Sequence, residues 1–392
     1  MASTIGPTVL IDGMNAFLRN YVRSPYMDTN GERMGGATGM VISVRKMISD
    51  LKASNVLVVW DGEGGSQRRR SIYSEYKAGR TVRLNKHDDD MEDDAAARMA
   101  NLNRQIGLVR EYLTILGVPQ VRCDGVEADD IMAYIAANHD HPGGCVIVTT
   151  DQDLLQMITE KGKCSEEDHT GGCTERCEDH SEVRVYSPIK KIMYDRPRFI
   201  SDYGVLPENF RMVKALTGDG SDNIEGIKGF GAKTVAKSFP FLLEQRASAQ
   251  DVLTAAEGLG GVLGKRLTEE KSRFLENLTL VDLSEPMLSA TAARQARDAL
   301  LRDLGCREVD FKMHLVKDGV SFTGDGFVNP FREFVMRRRR LLKEIEDRDV
   351  EYVQKNLFAA IKLPEDLKLD KPALAVEEDY FLPKRDVDEE KK

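Results

Sequence analysis

Short apolar runs that end in acidic residues alternate along the first half of the chain with longer segments of helical periodicity. The runs TVLID, NVLVVWD and CVIVTTDQD end at Asp12, Asp61 and the pair Asp151 and Asp153. Each run is rich in valine or isoleucine and too short for a typical helix, so each predicts a buried strand. Strands that alternate with helices predict an α/β fold with a central, mostly parallel sheet. Because ligands bind beyond the carboxyl ends of such strands, these aspartates are expected to converge.

Another acidic group lies in DGVEADDIMAY, residues 124–134. The preceding PQVRC predicts a short strand, and Asp124 is expected to cap a helix that runs from residue 126 to about 138. Glu127 and Asp130 would share one face of that helix, with Asp129 beside them in the first turn. Acids in a first turn are also favoured by the helix dipole, by about 0.3 to 1 kcal/mol each, which is the alternative to a ligand role.

Charge is distributed unevenly along the 392 residues, whose formal net charge is −9. A negative sum disfavours nucleic acid as a partner, but the distribution matters more than the sum. The segment 64–86 combines basic residues and tyrosines with a single acid, Glu75. Such a mixture suits a surface that follows a nucleic-acid backbone and stacks on bases, and a solvated charged face is the alternative. The basic and aromatic residues are Arg68, Arg69, Arg70, Tyr73, Tyr76, Lys77, Arg80, Arg83 and Lys86.

A second motif, TGDGSDNIEGIKGFGAKTVAKSF, begins after residue 216. It combines Asp219 and Asp222 with several glycines and a helix predicted to start near Ala232. Backbone N–H groups that a glycine turn exposes before a helix can bind a phosphate. The glycine spacing alone is weak, because an ordinary tight turn between helices would look similar.

Together, the acidic motifs and the glycine turn resemble the 5′-nuclease superfamily of flap endonucleases and 5′–3′ exonucleases, which includes the nuclease domain of bacterial DNA polymerase I and stand-alone phage enzymes. The resemblance extends from about residue 8 to 310. It implies a PIN-like nuclease core, a helical arch and a helix-three-turn-helix region that binds duplex DNA. The matching stretches are LIDGMNAFLR, VVWDGEGGSQRRRSIYSEYKAGR, DGVEADDI, VTTDQDLLQ and LTGDGSDNIEGIKGFGAKTVA.

The resemblance also implies a centre with two Mg²⁺ or Mn²⁺ ions. Two such ions about 4 Å apart can activate a water and stabilise the leaving oxygen of a phosphodiester. Lys77 and Arg80 match positions at the base of the arch that contact the scissile phosphate. The first ion would lie among Asp12, Asp61, Glu127 and Asp129, and the second among Asp130, Asp151, Asp153, Asp219 and Asp222. Which carboxylate bridges the ions is not assigned.

The DNA-binding residues follow from the same resemblance. The basic segment would thread or clamp a single-stranded 5′ end by charge and stacking, through Arg68, Arg69, Arg70, Tyr73, Tyr76 and Arg83. The glycine turn would contact the duplex backbone through Gly229, Phe230, Gly231, Lys233 and Thr234. In some family members a potassium ion takes part in that contact, so K⁺ is a further candidate cofactor.

The predicted function is a structure-selective 5′ nuclease that acts on DNA flaps, nicks or 5′ ends in primer removal or repair, with RNA–DNA hybrids as a further substrate class. A monomer in the bacterial cytoplasm, encoded by a phage, is expected. No apolar run approaches the roughly 20 residues that a membrane helix needs. One alternative is a DNA-binding scaffold with an inactive centre, although all the expected carboxylates are present. The other is an RNA-cleaving nuclease, which would not need the glycine turn.

A cysteine- and histidine-rich insert interrupts the family pattern at KCSEEDHTGGCTERCEDHSEV. Six cysteines in so long a chain do not indicate a disulfide scaffold, and three of them crowd into this segment. A structural zinc site is therefore predicted, with a polar loop as the alternative. The chosen ligands are Cys164, Cys173, Cys177 and His180, with His169 as the rival.

Three parts of the chain are expected. Residues 1–200 would form the nuclease core, with the arch at about 62–105 and the insert at about 161–183, and residues 201–320 the DNA-binding domain. Residues 321–392 would form a C-terminal helix and a disordered tail. In that helix Arg337 to Arg340 either contact DNA or are solvated, and the tail segment DYFLP is a candidate contact for a replication protein.

Overall fold

The computed structural model of the protein describes residues 5–79, 95–139, 141–161, 181–321 and 323–360, with side chains described outside residues 95 and 349–360. By its internal contacts the chain divides into two compact units, Met1–Leu342 and Lys343–Lys392. The first unit contains the whole sheet. A functional division near residues 200 and 320 stays a prediction, because compactness does not test it.

A six-stranded sheet lies at the centre of the first unit, with the strand order β3-β2-β1-β4-β5-β6. All neighbouring strands are parallel except the last pair, β5 and β6. The predicted mixed fold with a mostly parallel sheet is therefore confirmed. The strands are β1 Thr8–Asp12, β2 Asn55–Trp60, β3 Gln120–Arg122, β4 Cys145–Val148, β5 Val183–Ser187 and β6 Ile192–Tyr194. A separate two-stranded ribbon pairs β7, Gly218–Asp219, with β8, Ile224–Glu225.

Helices flank the sheet and form most of the region after residue 195. In chain order they are α1 Gly13–Arg23, α2 Gly35–Asp50, α3 Gln67–Ile72, α4 Ala95–Ile115, α5 Ala128–Asn138, α6 Arg196–Tyr203, α7 Phe210–Thr217, α8 Ala232–Ser238, α9 Ala249–Leu259, α10 Gly261–Glu269, α11 Lys271–Val281, α12 Ala290–Leu301, α13 Glu308–Lys317 and α14 Asn329–Ala360. Short 3-10 turns cover Asp153–Met157, Pro207–Asn209 and Pro240–Leu243. No helix among the described residues is long and apolar enough to cross a membrane.

The apolar strands are buried on both faces, which explains their continuous hydrophobic runs. Every residue of β1 and β2 is buried. Leu10 belongs to one hydrophobic cluster, and its neighbours Val9 and Ile11 belong to another. Because successive side chains point to opposite faces of a strand, the sheet separates two cores.

The cap predicted for α5 is wrong. The helix begins at Ala128, and Glu127 rather than Asp124 is in the cap position. Gly125 turns the chain with φ of +74°, a conformation that glycine adopts readily, and the backbone is extended at Glu127. Asp124 instead accepts a hydrogen bond from the Glu63 N–H at 3.3 Å.

The arginine run in α14 is not a uniform solvated face. Arg338 is 1% exposed and donates hydrogen bonds to Asn55 Oδ1 and to the Leu300 carbonyl, each at 2.8 Å. Arg337 donates to the Ala53 carbonyl at 3.0 Å, whereas Arg340 is exposed. At least two of the four arginines therefore attach α14 to the rest of the first unit.

Candidate metal centre

A cavity of about 650 Å³ opens where the strand order reverses between β1 and β4, and we call it the acidic cavity. A crevice at such a reversal is the usual ligand site of an open α/β sheet. Its apolar wall includes Met14, Leu18 and Phe210. Its charged lining consists of Asp12, Asp61, Asp129, Asp151, Asp219, Lys77 and Lys214. The expected convergence of acids from three strand ends is thus observed.

Asp12 is the most constrained of these acids. It ends β1 and caps α1, where its Oδ1 accepts the Asn15 N–H at 3.0 Å. Its Oδ2 accepts the Thr149 hydroxyl at 3.0 Å. Burial raises the pKa of Asp12 to about 7, with the negative charges of Asp61 and Asp151 adding to the rise. Nearby positive charge would therefore favour the ionised form of this carboxyl.

Asp61, Asp129 and Asp151 surround Asp12 from three other elements. Asp61 Oδ1 accepts the Ala128 N–H at 2.9 Å, which ties the end of β2 to the start of α5. Asp151 Oδ1 accepts the Asp153 N–H at 2.9 Å in the turn after β4. Burial, followed by the charges of Asp151 and Asp12, raises the pKa of Asp129 well above its usual value. Several carboxylates of like charge are thus brought close together in this cavity.

The donor set fits a hard divalent ion. Its side chains offer only oxygen ligands, as Mg²⁺ and Mn²⁺ prefer. Within the described ranges, no three acidic, histidine or cysteine side chains converge tightly enough to form a closed metal site. Mg²⁺ does not require such closure, because it keeps several waters and commonly binds through one or two carboxylates plus substrate phosphates.

Arg69 and Asp130 do not take the roles that the sequence suggested. Arg69 is 3% exposed and Asp130 is 1% exposed, and they form a two-pronged ion pair with N···O distances of 2.6 and 2.9 Å. Arg69 also donates to the Leu280 carbonyl at 2.9 Å. The Met287 N–H donates to Asp130 at 3.0 Å. The predictions of Asp130 as a metal ligand and of Arg69 as a DNA contact are corrected, because each side chain is buried against the other.

Glu127 does not line the acidic cavity itself, but it contacts Lys77, which does. One Glu127 oxygen accepts Arg69 Nη1 at 2.6 Å and the Tyr76 hydroxyl at 3.1 Å, and the other accepts Lys77 Nζ at 2.6 Å. Burial alone would lower the pKa of Lys77, but Glu127 and Asp129 raise it. Lys77 is therefore a fixed positive charge at the cavity wall. Tyr76 is 3% exposed, so its predicted stacking on DNA bases is corrected as well.

Lys214 is a cavity residue that the sequence interpretation missed. Its Nζ lies 2.8 Å from Asp153 Oδ1 and also contacts Asp219 Oδ2. Burial and Asp151 raise the pKa of Asp153 to about 7 despite this lysine. Burial alone would raise the pKa of Asp219, but Lys214 and Ser221 lower it. The available signal was a single lysine inside the apolar segment MVKAL, five residues before Asp219.

Asp153 and Asp222 do not line the acidic cavity directly. Asp153 stands behind Lys214, and Asp222 is 5% exposed. The Asp222 carbonyl accepts the Lys77 N–H at 3.0 Å, which connects the β7–β8 turn to the Lys77 loop. Of the acids expected around the second ion, only Asp151 and Asp219 therefore face the cavity.

The glycine turn precedes α8, as predicted. Gly229 has φ of +99°, and Gly231 caps the helix with extended backbone. A side chain at Gly231 would point into open space. Phe230 is 5% exposed and stacks on Phe239 with ring centroids 6.0 Å apart, so only its backbone is available to a ligand. Lys233 is exposed and Thr234 is half-buried.

The remaining predicted contacts divide into two groups. Arg68 and Arg70 are exposed, but each also donates to a backbone carbonyl, and Tyr73 is half-buried. The others lie outside the described residues: Arg80, Arg83, Cys164, His169, Cys173, Cys177 and His180.

The chain is similar in sequence to known polymerases and exonucleases. The chain is 28% identical over 278 residues to the thermostable DNA polymerase I of Thermus caldophilus, covering 70% of this chain and 28% of the polymerase. It is 27% identical over 246 residues to a 5′–3′ exonuclease of Aquifex aeolicus, covering 62% of this chain and 71% of that protein. The chain thus spans little more than a quarter of the polymerase that it matches.

A solved structure shows the same fold. The flap endonuclease of bacteriophage T5, determined with DNA and metal ions, superposes with a TM-score of 0.52 at 20% identity, covering 80% of this chain and 98% of that one. Residues 7–186, which contain four of the five cavity aspartates, match the sequence profile of the 5′–3′ exonuclease N-terminal, resolvase-like domain. Residues 7–186 of the chain are thus similar to the N-terminal, resolvase-like domain of 5′–3′ exonucleases.

Proposed function

We propose that the protein is a divalent-metal-dependent, structure-selective 5′ nuclease that hydrolyses DNA phosphodiesters at flaps, nicks or 5′ ends. One observation carries the proposal. Within the matched domain, the carboxyl ends of β1, β2 and β4 direct acids into one cavity, and Lys77 stands at its wall. Metal-bound carboxylates beside a fixed cation are the arrangement that phosphodiester hydrolysis needs.

The residues of the acidic cavity would have three roles: to bind ions, to fix the carboxylates and to stabilise the transition state. Asp12, Asp61, Asp129 and Asp151 would hold the first ion, and Asp151, Asp219 and, behind Lys214, Asp153 would contribute to the second. When bound, the ions would supply Lewis-acid stabilisation of phosphoryl oxygens and activate water. Thr149 and Asn15 fix the carboxylate of Asp12. Lys77, held by Glu127, places positive charge where the transition state gains negative charge.

DNA would reach the acidic cavity along two surfaces. Arg68 and Arg70, exposed on α3, together with Arg80 and Arg83, would attract a single-stranded 5′ end. The glycine turn and Lys233 would contact the duplex backbone as a helix-three-turn-helix element, with K⁺ as a candidate ligand of that turn. Cleavage of RNA–DNA hybrids, action as a monomer and a replication partner for the tail belong to the same proposal.

A structural zinc ion in the insert is a separate part of the proposal. The cysteine and histidine spacing of the insert supports it, and its residues lie outside the described ranges. After exhaustive dialysis we expect about one zinc per chain. Zinc content near zero would refute the site, whereas loss of zinc in His180→Ala but not in His169→Ala would support the chosen ligands.

The proposed nuclease is tested with a 5′-flap duplex and an unbranched single strand, each with Mg²⁺ or with chelator. We expect flap cleavage that requires metal and falls by roughly 10²-fold or more in Asp12→Asn, because that carboxylate is central to the cavity. Asp298→Asn, on the exposed face of α12, is the matched control and should cleave like wild type.

Three outcomes would contradict the proposal. Equal cleavage by wild type and Asp12→Asn would show that the reaction occurs elsewhere. Tight flap binding without cleavage under any divalent metal would favour the scaffold alternative. Preferential cleavage of single-stranded RNA would favour the RNA nuclease.

A further inference from the structure

We propose that Lys214 is a built-in counter-cation of the acidic cavity: its ammonium occupies the space between Asp153 and Asp219 that a second divalent ion needs, and it must leave before that ion binds. The inference rests on the two-ion centre of the proposed function. It concerns the order and strength of ion binding, which that function leaves open.

The position of Lys214 carries the inference. Its side chain is 10% exposed, and its ammonium lies between two carboxylates that come from distant parts of the chain. A buried ammonium is stable only where acids compensate its charge, so the pair of aspartates explains why a lysine is tolerated inside α7. The same two carboxylates are the oxygen ligands that a hard cation would use.

Both carboxylate oxygens of Asp219 already have partners, so Asp219 cannot readily bind the Lys214 ammonium and a metal ion at the same time. Its Oδ1 already accepts the Ser221 N–H at 2.7 Å and the Ser221 hydroxyl at 2.6 Å, and its Oδ2 contacts Lys214. An ion that binds Oδ2 therefore has to displace the ammonium. Asp153 Oδ1 is buried and accepts no well-directed hydrogen bond, although Lys214 Nζ is 2.8 Å away. Charge, more than directed bonding, holds the ammonium at that oxygen.

The carboxylates proposed for the two ions differ in whether a basic side chain compensates their charge. Among the described residues, Asp12, Asp61, Asp129 and Asp151 form no ion pair with a basic side chain within 4.0 Å, whereas Asp153 and Asp219 share Lys214. A first ion thus meets uncompensated acids, and a second ion has to compete with a resident charge. The free protein should bind the second ion more weakly than the first.

The displaced ammonium of Lys214 would move within the acidic cavity, towards its opening. Lysine carries its charge on a flexible four-carbon stem, and Lys214 already lines the cavity. When the second ion enters, the ammonium can turn towards the cavity opening, where an arriving phosphate would compensate it. Entry of the second ion and arrival of the substrate phosphate would then favour one another.

The test is calorimetric titration of Mn²⁺ into the chelator-treated full-length chain without DNA. We compare wild type with Lys214→Met and with Lys265→Met, which removes a lysine paired to Glu269 on the surface of α10. Wild type and Lys265→Met should show a tight and a weak site. In Lys214→Met the weak site should tighten by about tenfold, because its competitor is gone. Unchanged or weaker second-site affinity in a folded Lys214→Met protein would overturn the proposal.

A structural measurement on wild type covers the case in which Lys214→Met does not fold. Crystals soaked in Mn²⁺ at a concentration that fills both sites should show Lys214 Nζ out of hydrogen-bond reach of Asp219 whenever the second anomalous peak is present. Simultaneous occupancy by ion and ammonium would refute the displacement. Because both readouts are independent of catalysis, a protein that binds Mn²⁺ as predicted but cleaves no DNA would contradict only the proposed nuclease.

Discussion

At the scale of single residues, the environment of a carboxylate decides its role more than its position in a motif does. Asp129 and Asp130 are neighbours in sequence, yet one faces the acidic cavity and the other is buried against Arg69. Removing one partner of a buried ion pair leaves an uncompensated charge, which is strongly destabilising. Neighbouring acids of one motif can therefore serve stability at one position and ion binding at the next.

Asp130→Asn tests this separation of roles. We expect the free energy of unfolding to fall by about 3 kcal/mol, because Arg69 loses its buried counter-charge. The affinity for Mn²⁺ should stay close to that of wild type, whereas Asp12→Asn should weaken it markedly. Urea unfolding and calorimetric titration measure the two quantities. Loss of Mn²⁺ affinity in Asp130→Asn equal to that in Asp12→Asn would restore Asp130 as a ligand.

His139 gives a pH dependence that is unrelated to the cavity. Burial, together with the positive charges of His141 and Arg297, lowers the pKa of His139 from 6.5 to about 4. The folded state thus favours the neutral ring, so its contribution to stability is present above pH 6.5 and is lost as the pH falls towards 4. We expect about 2 to 3 kcal/mol to be lost over that range, and less in His139→Gln. Urea unfolding at pH 7 and pH 4.5 measures the difference, and equal pH dependence of both proteins would contradict it.

At the scale of elements, the glycine turn before α8 combines tight packing with an open face. A Cβ at Gly229 would lie 2.8 Å from Leu263, whereas a Cβ at Gly231 would meet no atom within 4 Å. Gly231 also has φ of −105°, which any residue can adopt. The absence of a side chain there is not required by the fold, so its reason is expected to lie in a ligand that approaches closely.

Gly231→Ala tests whether DNA is that ligand. Thermal stability should be unchanged, while duplex affinity should fall by roughly tenfold, because the methyl group holds the DNA backbone away from the turn. Gly258→Ala in α9 also adds a methyl group in open space and serves as the control. Fluorescence anisotropy with a flap duplex measures the affinity. Identical binding by both variants and wild type would remove the glycine turn from the DNA surface.

At the scale of the whole molecule, α14 closes one of the two cores. Phe331 and Phe334 are fully buried in the cluster that contains Val9 and Ile11 of β1. Arg338 adds hydrogen bonds to Asn55, the first residue of β2. The start of this helix therefore completes a core of the first compact unit.

Two truncations test this assignment. A chain that ends at residue 342 should keep the melting temperature of the full-length protein, because the first compact unit ends there. A chain that ends at residue 328 should lose more than about 5 kcal/mol of stability, since burial of two phenylalanines is lost. Thermal unfolding and solubility compare the two. A stable, soluble 1–328 chain would contradict the role of α14.

The sequence by itself determined the parallel sheet, the strand ends and the convergence of Asp12, Asp61 and Asp151. Those features depend on local periodicity and on a general rule of α/β topology. Only the tertiary structure decided which charges are paired, because the partners lie far apart along the chain. Arg69 and Asp130, for example, are 61 residues apart. The role of Lys214 could not be predicted for the same reason. It depends on Asp153, which no local sequence pattern places beside it.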